Sequence, residues 1–375
     1  MPMHVLHTDA HMGWGGQAQR ILILSRGCRE AGCRVTIAAP AGSELARRAR
    51  QIAIDVLDEV EFRRGLKSLA FFRDVLRLGR YMRRNSVDIL DLHGSQDTWS
   101  GAAAARACHR QAVVIRTKHN FFPIRRHIFN RMLYARWIHH VIAVADAVGR
   151  KIVEEGLKPP EAVSTIHSAV PSRFFAPARE AELPPEAAPE GAPVIGMAAR
   201  LSERKGQRVL LESAPEVLRR FPEAHFIIAG DGEDGRFLSE TIGKMGLAGR
   251  VHLIGFRDDV PALMDRFAVA VLPSVAGEGS PAAIKEALAR GVPVVATDKG
   301  GTREVLGEAD CGILIRPGDP KALAEAICSL LADPALRKRM GEAGRKRMAE
   351  EFTEDKLVER TLALYGRLLA QKGGG

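Results

Sequence analysis

Aromatic residues are scarce in this sequence, where Phe, Trp and Tyr together make up 5% of 375 residues. Proteins that bind single-stranded nucleic acid stack bases on such rings, so the scarcity argues against that class. The five cysteines are odd in number and none has C-x-x-C spacing, which argues against a disulfide framework or a zinc site. We expect them to be free thiols in a reducing cytosol.

Long apolar runs are missing as well. No stretch approaches the roughly 18–20 apolar residues of a membrane span. The N-terminal segment has no basic region followed by an apolar one, so no signal peptide is predicted. The G-x-G-x-x-G fingerprint is absent, which disfavours a Rossmann dehydrogenase. No D-x-D pair stands at a predicted strand end, so we expect neither a metal nor a cofactor. The sequence predicts a cytoplasmic globular protein.

Positive charge is the feature present in excess, and it lies in the first half of the chain. The net charge is +10, and residues 1–173 hold 27 Lys and Arg against 15 Asp and Glu. An excess of positive charge in the first half of the chain suggests an anionic partner there. The partner could be a membrane surface, an anionic acceptor or nucleic acid.

Residues 61–84 combine this charge with apolar residues at helical spacing. The apolar positions are Phe62, Leu66, Leu69, Phe72 and Leu76, and the basic ones are Arg63, Arg64, Lys67, Arg73, Arg77, Arg80, Arg83 and Arg84. A basic amphipathic helix can lie on an anionic membrane. A helix packed on its own domain with a charged, solvated face gives the same pattern, and both interpretations stay open.

Strand and helix patterns alternate twice along the chain, which predicts an α/β protein with two doubly wound, Rossmann-like parallel-sheet domains. The first series has strands near 3–7, 34–39, 88–92, 112–117 and 141–144, and the second near 194–198, 225–229, 251–254, 269–272, 292–297 and 312–315. Prolines are dense between the two series. The predicted organisation is an N-terminal domain at 1–170, a linker at 171–192, a C-terminal domain at 193–353, and a final helix at 354–375 that packs back on the first domain.

Glycines and basic residues at predicted strand ends are candidate phosphate contacts. Gly15 and Gly16 form the first strand–helix turn, where backbone N–H groups favour anions. Arg200 and Lys205 follow the first strand of the second series and could neutralise a diphosphate. A tight turn and two solvated surface charges would look the same in the sequence.

An acidic pair follows in E-G-S-P-A-A-I-K-E, where Glu278 precedes a predicted helix and Glu286 lies about two turns inside it. Pro281 suits the first turn of that helix. Carboxylates accept hydrogen bonds from paired hydroxyls, so one acid could hold a sugar and the other a ribose. Gly300 and Gly301, after the next strand, could turn their N–H groups toward phosphate, or form a plain turn.

Two histidines stand at predicted strand ends of the first series. His93 follows 88–92 and His119 follows 112–117, so both are expected at the carboxyl edge of the sheet, where functional side chains gather. A structural role for either is the alternative.

Taken together, these motifs resemble the retaining glycosyltransferases of family 4, the group 1 glycosyltransferases, whose fold is GT-B, with two Rossmann-like domains facing a cleft. The resemblance covers nearly the whole chain. It rests on the stretches GGQAQR, TKH, ARLSERKG, AGDGE and EGSPAAIKEALARGVPVVATDKGGTRE. The last stretch is the most specific, because its acidic pair matches the family's E-x7-E motif.

The resemblance implies a role for each matching residue. Arg200 and Lys205 would bind the donor diphosphate and stabilise its departure, with Glu286 on the ribose and Glu278 on the donor sugar. The backbone of Gly279, Ser280 and Pro281 would lie near sugar and phosphate, with Gly300 and Gly301 also on the donor side and Gly15 and Gly16 facing the phosphate from the first domain. His119 would lie near the reacting centre, and His93 on the acceptor side.

The implied activity is transfer of a sugar from a nucleotide diphosphate sugar to a glycan or lipid-linked acceptor, with retention and without metal, in envelope polysaccharide or lipopolysaccharide assembly. The enzyme would work in the cytoplasm, peripheral to the inner face of the membrane. A sugar-nucleotide 2-epimerase of the same fold and a basic nucleic-acid-binding protein are the alternatives. Two departures matter: Ala18 stands where relatives carry Glu or Gln, and Ser280 replaces a bulky residue.

Overall fold

The structure is a computed structural model that describes residues 2–63, 68–124, 127–178, 183, 187, 189 and 191–373. The chain divides into two compact units. One contains Met1–Ala169 together with Glu354–Gly375, and the other contains Val170–Thr353. Each unit is built on its own parallel sheet with its own hydrophobic core.

The first unit holds a seven-stranded sheet in the order β3-β2-β1-β4-β5-β6-β7. Its strands are β1 (His4–Thr8), β2 (Arg34–Ala38), β3 (Asp55–Leu57), β4 (Ile89–Leu92), β5 (Val113–Lys118), β6 (His140–Ala143) and β7 (Val163–Thr165). Its helices are α1 (Gly16–Glu30), α2 (Glu44–Gln51), α3 (Leu69–Arg84), α4 (Ser95–Cys108), α5 (Ile128–Met132), α6 (Asp146–Glu154) and the last helix of the chain, α14 (Glu354–Gly373).

The second unit holds a six-stranded sheet in the order β10-β9-β8-β11-β12-β13. Its strands are β8 (Val194–Ala198), β9 (His225–Ala229), β10 (Val251–Leu253), β11 (Val269–Leu272), β12 (Val294–Thr297) and β13 (Gly312–Ile315). Its helices are α7 (Gln207–Arg220), α8 (Gly235–Lys244), α9 (Val260–Asp265), α10 (Ala282–Ala289), α11 (Thr302–Leu306), α12 (Pro320–Ala332) and α13 (Pro334–Glu351).

Both sheets have the strand order of doubly wound folds, and this confirms the predicted fold class. The first strand of each unit, β1 or β8, is an inner strand, and successive strands are added on one side of it and then on the other. The carboxyl ends of β1 and β4 therefore flank a crevice in the first sheet, and those of β8 and β11 do so in the second. Most predicted sites follow these ends.

The proline-rich segment is only partly a linker. Val170 and Phe174 are buried in the second core, and Arg290 donates to the carbonyl oxygen of Phe174 at 3.1 Å. The start of the predicted linker therefore belongs to the second unit. Much of its remainder lies outside the described residues.

The last helix belongs to the first unit. Its first residue, Glu354, forms an ion pair with Arg26 of α1, and Val358 packs against Gly27, where a Cβ would overlap the valine side chain. Tyr365 is fully buried in the same unit. None of the described helices is both long and apolar enough to cross a membrane.

Candidate functional site

A cluster of Lys205, Glu278 and Ser274 lies at the carboxyl edge of the second sheet. The Lys205 ammonium and the Ser274 hydroxyl both donate to Oε1 of Glu278, at 2.8 and 2.7 Å. Gly206 makes this possible, because its φ of +79° suits glycine and a Cβ there would overlap the carbonyl oxygen of Pro273. The turn after β8 is thus held against the end of β11.

Glu278 is fixed on its backbone side by the turn after β12. Its carbonyl oxygen accepts from the Gly301 N–H at 2.9 Å, and it forms an isolated bridge with Gly300. Gly300 has φ +66°, and a Cβ there would overlap the Glu278 carbonyl oxygen. Among the described residues, no hydrogen bond reaches Oε2 of Glu278, so this oxygen can accept from a ligand.

The segment after Glu278 contains a buried lysine that sequence reasoning missed. Lys285 is 1% exposed and donates to the Ser280 hydroxyl at 3.0 Å. Pro281 is the N-cap of α10. Glu286 is half-buried and is the fifth residue of that helix, about one turn inside it, so the expected depth of two turns was wrong. Ser280 is therefore paired with a buried lysine.

Arg200 and Lys205 have separate acidic partners. Arg200 is exposed and binds Glu233 through Nε and Nη2, at 3.1 and 2.9 Å, whereas Lys205 binds Glu278. Among the residues that the structure describes, the two side chains share no hydrogen-bond partner. The second cation of the predicted pair is thus already part of the Glu278 cluster, while the first is held by an exposed ion pair.

In the first unit, Gly15 and Gly16 stand at the start of α1. Gly15 is the N-cap with an extended backbone, and a Cβ there would meet nothing within 4 Å. The cap has no side chain and the first turn holds no acidic residue. No side chain of the cap or first turn therefore neutralises the positive end of the helix dipole. This leaves the end able to attract an anion. Ala18, one turn further, is buried in the core of its own unit.

His93 and His119 are in direct contact. Nδ1 of His93 lies 2.8 Å from Nε2 of His119, and Nε2 of His93 lies 3.1 Å from Nδ1 of His7, a residue that sequence reasoning missed. His7 and His93 are buried, and His119 is half-buried. Burial lowers the pKa of His7 to about 3 and lowers the pKa values of His93 and His119 well below the usual range. All three rings are neutral at physiological pH.

Asp91, also missed, is the buried carboxylate beside these rings. It accepts from the Tyr365 hydroxyl and the Thr117 hydroxyl, each at 2.7 Å. Burial raises its pKa to about 6. With His7 and His93 it forms a group whose ligand atoms lie within 4.8 Å of one another, spacing that could suit a metal. The positive charges of Arg20 and Arg116 act on the same group and oppose a cation there.

Other polar side chains join this edge of the first sheet. Asp9, directly after β1, accepts from His11 Nδ1 at 2.8 Å and from Gln17 Nε2 at 2.7 Å. Asp97, in the first turn of α4, accepts from the Thr8 hydroxyl at 2.5 Å and from the backbone N–H of His93 at 3.0 Å. The position of Asp9 directly after a strand was readable in the sequence, as for His93, but carboxylates at such places are common.

Two family models match nearly the whole chain. Residues 14–174 match Glycosyltransferase Family 4, and residues 178–347 match Glycosyl transferases group 1. The chain is 29% identical over 185 residues to 2-deoxystreptamine glucosyltransferase of Streptomyces kanamyceticus, which is 49% of this chain and 48% of that protein. The first curated relatives are matched over about half of their length.

Longer matches occur at lower identity. The phosphatidyl-myo-inositol mannosyltransferase of Mycolicibacterium smegmatis is 27% identical over 306 residues, which is 80% of this chain and 77% of that protein. An Escherichia coli galactosyltransferase, named as acting on α-D-GlcNAc-diphosphoundecaprenol, is 27% identical over 275 residues, which is 68% of this chain and 69% of that protein.

Solved structures share the fold. A glycosyltransferase from Rickettsia africae superposes with a TM-score of 0.85 at 20% identity, over 98% of this chain and 99% of that one. The Anabaena protein HepE in complex with UDP gives 0.79 at 20% identity, over 98% and 100%. At this identity the likeness shows the fold alone. With both family models and this fold, the chain belongs to the group 1, family 4 glycosyltransferases of GT-B fold.

Proposed function

We propose that this protein transfers a sugar from a nucleotide diphosphate sugar to a glycan or lipid-linked acceptor, with retention at the anomeric carbon. The observation that carries the proposal is the Lys205–Ser274–Glu278 cluster, which the Gly300–Gly301 turn holds at the carboxyl edge of the second sheet. Ligands of doubly wound sheets bind at this edge. Relatives named for UDP-sugar and lipid-linked substrates support the same substrate class.

The donor would be held by its charge and its hydroxyls. Arg200 and Lys205 would bind the diphosphate after releasing or sharing their carboxylate partners, and the Gly300–Gly301 turn would add backbone N–H groups. Oε2 of Glu278 would accept from the donor sugar and Glu286 from the ribose. The backbone of 279–281 would line the sugar. In the first unit, the start of α1 at Gly15 and Gly16 would suit an anion such as phosphate.

The chemistry needs charge stabilisation more than a strong base. The bond between the anomeric carbon and the phosphate oxygen breaks, and a bond from that carbon to the acceptor oxygen forms on the same face. The acceptor's proton passes to the departing phosphate oxygen. Fixed cations and N–H groups stabilise the diphosphate as its charge grows, so no metal is required. A product with inverted configuration would contradict this stereochemistry.

A panel of nucleotide sugars tests the proposal by thermal shift. The cognate donor should raise the melting temperature by mass action, more strongly than donors with another base or sugar, and equally in EDTA. Turnover should then require an acceptor. Release of free nucleotide diphosphate without any acceptor would favour the epimerase alternative, which has no support among the relatives described above. No stabilisation by any donor would count against the proposal.

The acceptor side would lie on the basic first unit, at an anionic membrane surface, in envelope polysaccharide assembly. One side of α3 faces solvent, and on it Leu69, Phe72 and Leu76 are 75%, 56% and 51% exposed. The exposed basic residues on the same side are Arg73, Arg80, Arg83 and Arg84. Phe62 is buried, so the expectation that it joins this face was wrong. Leu66, Arg64 and Lys67 lie outside the described residues. Exposed apolar side chains can insert into a membrane while neighbouring basic residues bind anionic lipid headgroups.

Liposome binding tests this surface. Wild-type protein should bind vesicles that contain anionic lipid, and binding should weaken as salt rises. Leu69→Ser combined with Phe72→Ser should abolish most of the binding. Phe256→Ser, which changes a phenylalanine that is 60% exposed in the second unit, is the matched control and should bind like wild type. Equal binding to neutral vesicles would remove the electrostatic argument.

A further inference from the structure

Three histidines form a continuous row across the carboxyl edge of the first sheet. Strands β1, β4 and β5 are neighbours, and their register pairs His7 with Asp91 and Leu92 with Arg116. His7, at the end of β1, therefore meets His93, just after β4, which in turn meets His119, just after β5. The ring-centroid distances are 5.3 and 5.1 Å.

The two hydrogen bonds of this row must run in the same direction. A neutral imidazole carries one N–H and one lone pair. If His93 donated to both neighbours it would be a cation, and if it accepted from both it would be an anion. Burial and the charges of Arg20 and Arg116 oppose the cation, and a neutral imidazole is too weak an acid to become an anion near neutral pH. The row therefore donates either toward His119 or toward His7.

The inner end of the row decides the direction. Nε2 of His7 is buried, and no hydrogen-bond partner for it exists among the residues that the structure describes. Donation toward His7 would place an N–H there without an acceptor, and the positive charge of Arg20 acts on this same ring. A buried donor left unpaired loses its hydration without gaining a hydrogen bond, which disfavours that arrangement. Donation toward His119 leaves only a lone pair at that nitrogen.

We propose that His7 is a positioning residue, which acts through His93 to hold His119 as the tautomer with its proton on Nδ1. His7 Nδ1–H donates to His93 Nε2, and His93 Nδ1–H donates to His119 Nε2. Asp91 Oδ2 lies 3.7 Å from His7 Nδ1 and 3.4 Å from His93 Nε2, so its charge favours a proton between the rings. The row ends in an N–H donor at the sheet edge.

This inference gives His119 a defined chemical task, and that task rests on the proposed function. His119 donates a hydrogen bond to a substrate oxygen and neither takes nor gives up a proton. Its surroundings keep it neutral: burial lowers the pKa of the ring most, and Arg20 on α1, Arg116 and Lys118 on β5, and His11 also oppose a positive charge on it. Proton transfer then stays between the acceptor hydroxyl and the donor phosphate.

Substitutions at His7 separate positioning from packing. In His7→Phe, the polar partner that remains for Nε2 of His93 among the described residues is Oδ2 of the Asp91 carboxylate, which accepts a hydrogen bond. His93 must then carry its proton on Nε2 and accept at Nδ1, so His119 turns to its Nε2–H tautomer and loses its outward donor. The expected loss is in kcat, on the order of 10²-fold, with little change in KM. His7→Asn keeps a donor near the Nδ1 position and should recover most of kcat.

Nitrogen NMR of histidine-labelled full-length protein reads the tautomers directly. In wild type, His119 should show a protonated Nδ1 and an unprotonated Nε2, assigned by comparison with His119→Gln. In His7→Phe the two signals should exchange, and in His7→Asn they should remain as in wild type. His4→Phe is the control, because His4 is buried on the same strand but bonds Thr36 and Asn85 instead.

The outcomes that overturn the inference are specific. Wild-type His119 with its proton on Nε2 would refute it, as would an unchanged His119 tautomer in His7→Phe. Stoichiometric Zn²⁺ or Co²⁺ bound through His7, Asp91 and His93 would also refute it, because metal would replace the proton between the rings. The NMR readout needs no substrate. If the tautomer is as proposed and His119→Gln keeps full activity, the fault lies in the role given to His119 in catalysis.

Discussion

Replacing Lys205 with alanine is expected to lower kcat/KM by about 10²–10³-fold, the typical effect of removing one group that stabilises charge in the transition state. The ammonium lies 2.8 Å from Glu278, so its loss removes a cation for the diphosphate and leaves the carboxylate of Glu278 with Ser274 alone. Stabilisation of the leaving diphosphate and the contact of Glu278 with the donor sugar should both weaken. The measurement is release of nucleotide diphosphate from the donor that the thermal-shift panel identifies.

The control for Lys205 lies one turn further along the chain. Arg208 is exposed and pairs with Glu212 at 2.8 Å, so Arg208→Ala removes a neighbouring positive charge without touching the Glu278 cluster. It should keep full activity, and both variants should keep a melting temperature close to wild type, because partly exposed ion pairs contribute little to stability. Comparable loss in both variants would mean that general surface charge, rather than Lys205, binds the donor.

The second large effect is expected from Gly300→Ala. Alanine at φ +66° is strained, and its Cβ would overlap the carbonyl oxygen of Glu278, so one backbone segment must move. The strain costs about 1–2 kcal/mol and the overlap about 1–3 kcal/mol more. Because the displaced residue is Glu278 itself, donor affinity should fall together with stability. Unfolding in denaturant and donor titration measure the two effects.

Gly318→Ala separates strain from overlap. Gly318 also has a positive φ, +73°, but a Cβ there would meet nothing within 4 Å. It should lose stability by the strain alone and bind donor like wild type. If the two alanine variants lose the same stability and both keep donor affinity, then the Gly300 turn does not hold Glu278 in its binding position.

Much of the fold could be predicted because its signals are local. The strand bounds 194–198, 225–229, 269–272 and 312–315 were predicted to the residue. Apolar runs of strand length and helical periodicity mark such elements directly. Two three-residue strands, Asp55–Leu57 and Val163–Thr165, were missed because segments so short have no period of their own and exist only by pairing with a neighbour.

Candidate site residues could be predicted where a sequence motif specified both the residue type and its position relative to a strand or helix. Glu278, Lys205, Gly300 and Gly301 are adjacent in the structure, as the family motifs imply, although their roles in catalysis stay predictions. The pairing of Ser280 with a buried lysine was not predictable. Lys285 reads as an exposed helical charge in the sequence, and only packing of α10 shows that it is 1% exposed.

The sequence by itself determined the two α/β units, the family and the strand-end position of nearly every candidate residue. The reason is that hydrophobic periodicity and glycine-containing turns are signals that span only a few residues. Only the tertiary structure decided which side chains meet. His7, His93 and His119 are far apart in the chain, and their contact depends on the order β1-β4-β5 in the sheet. Strand order is set by the packing of whole elements, which no local pattern encodes.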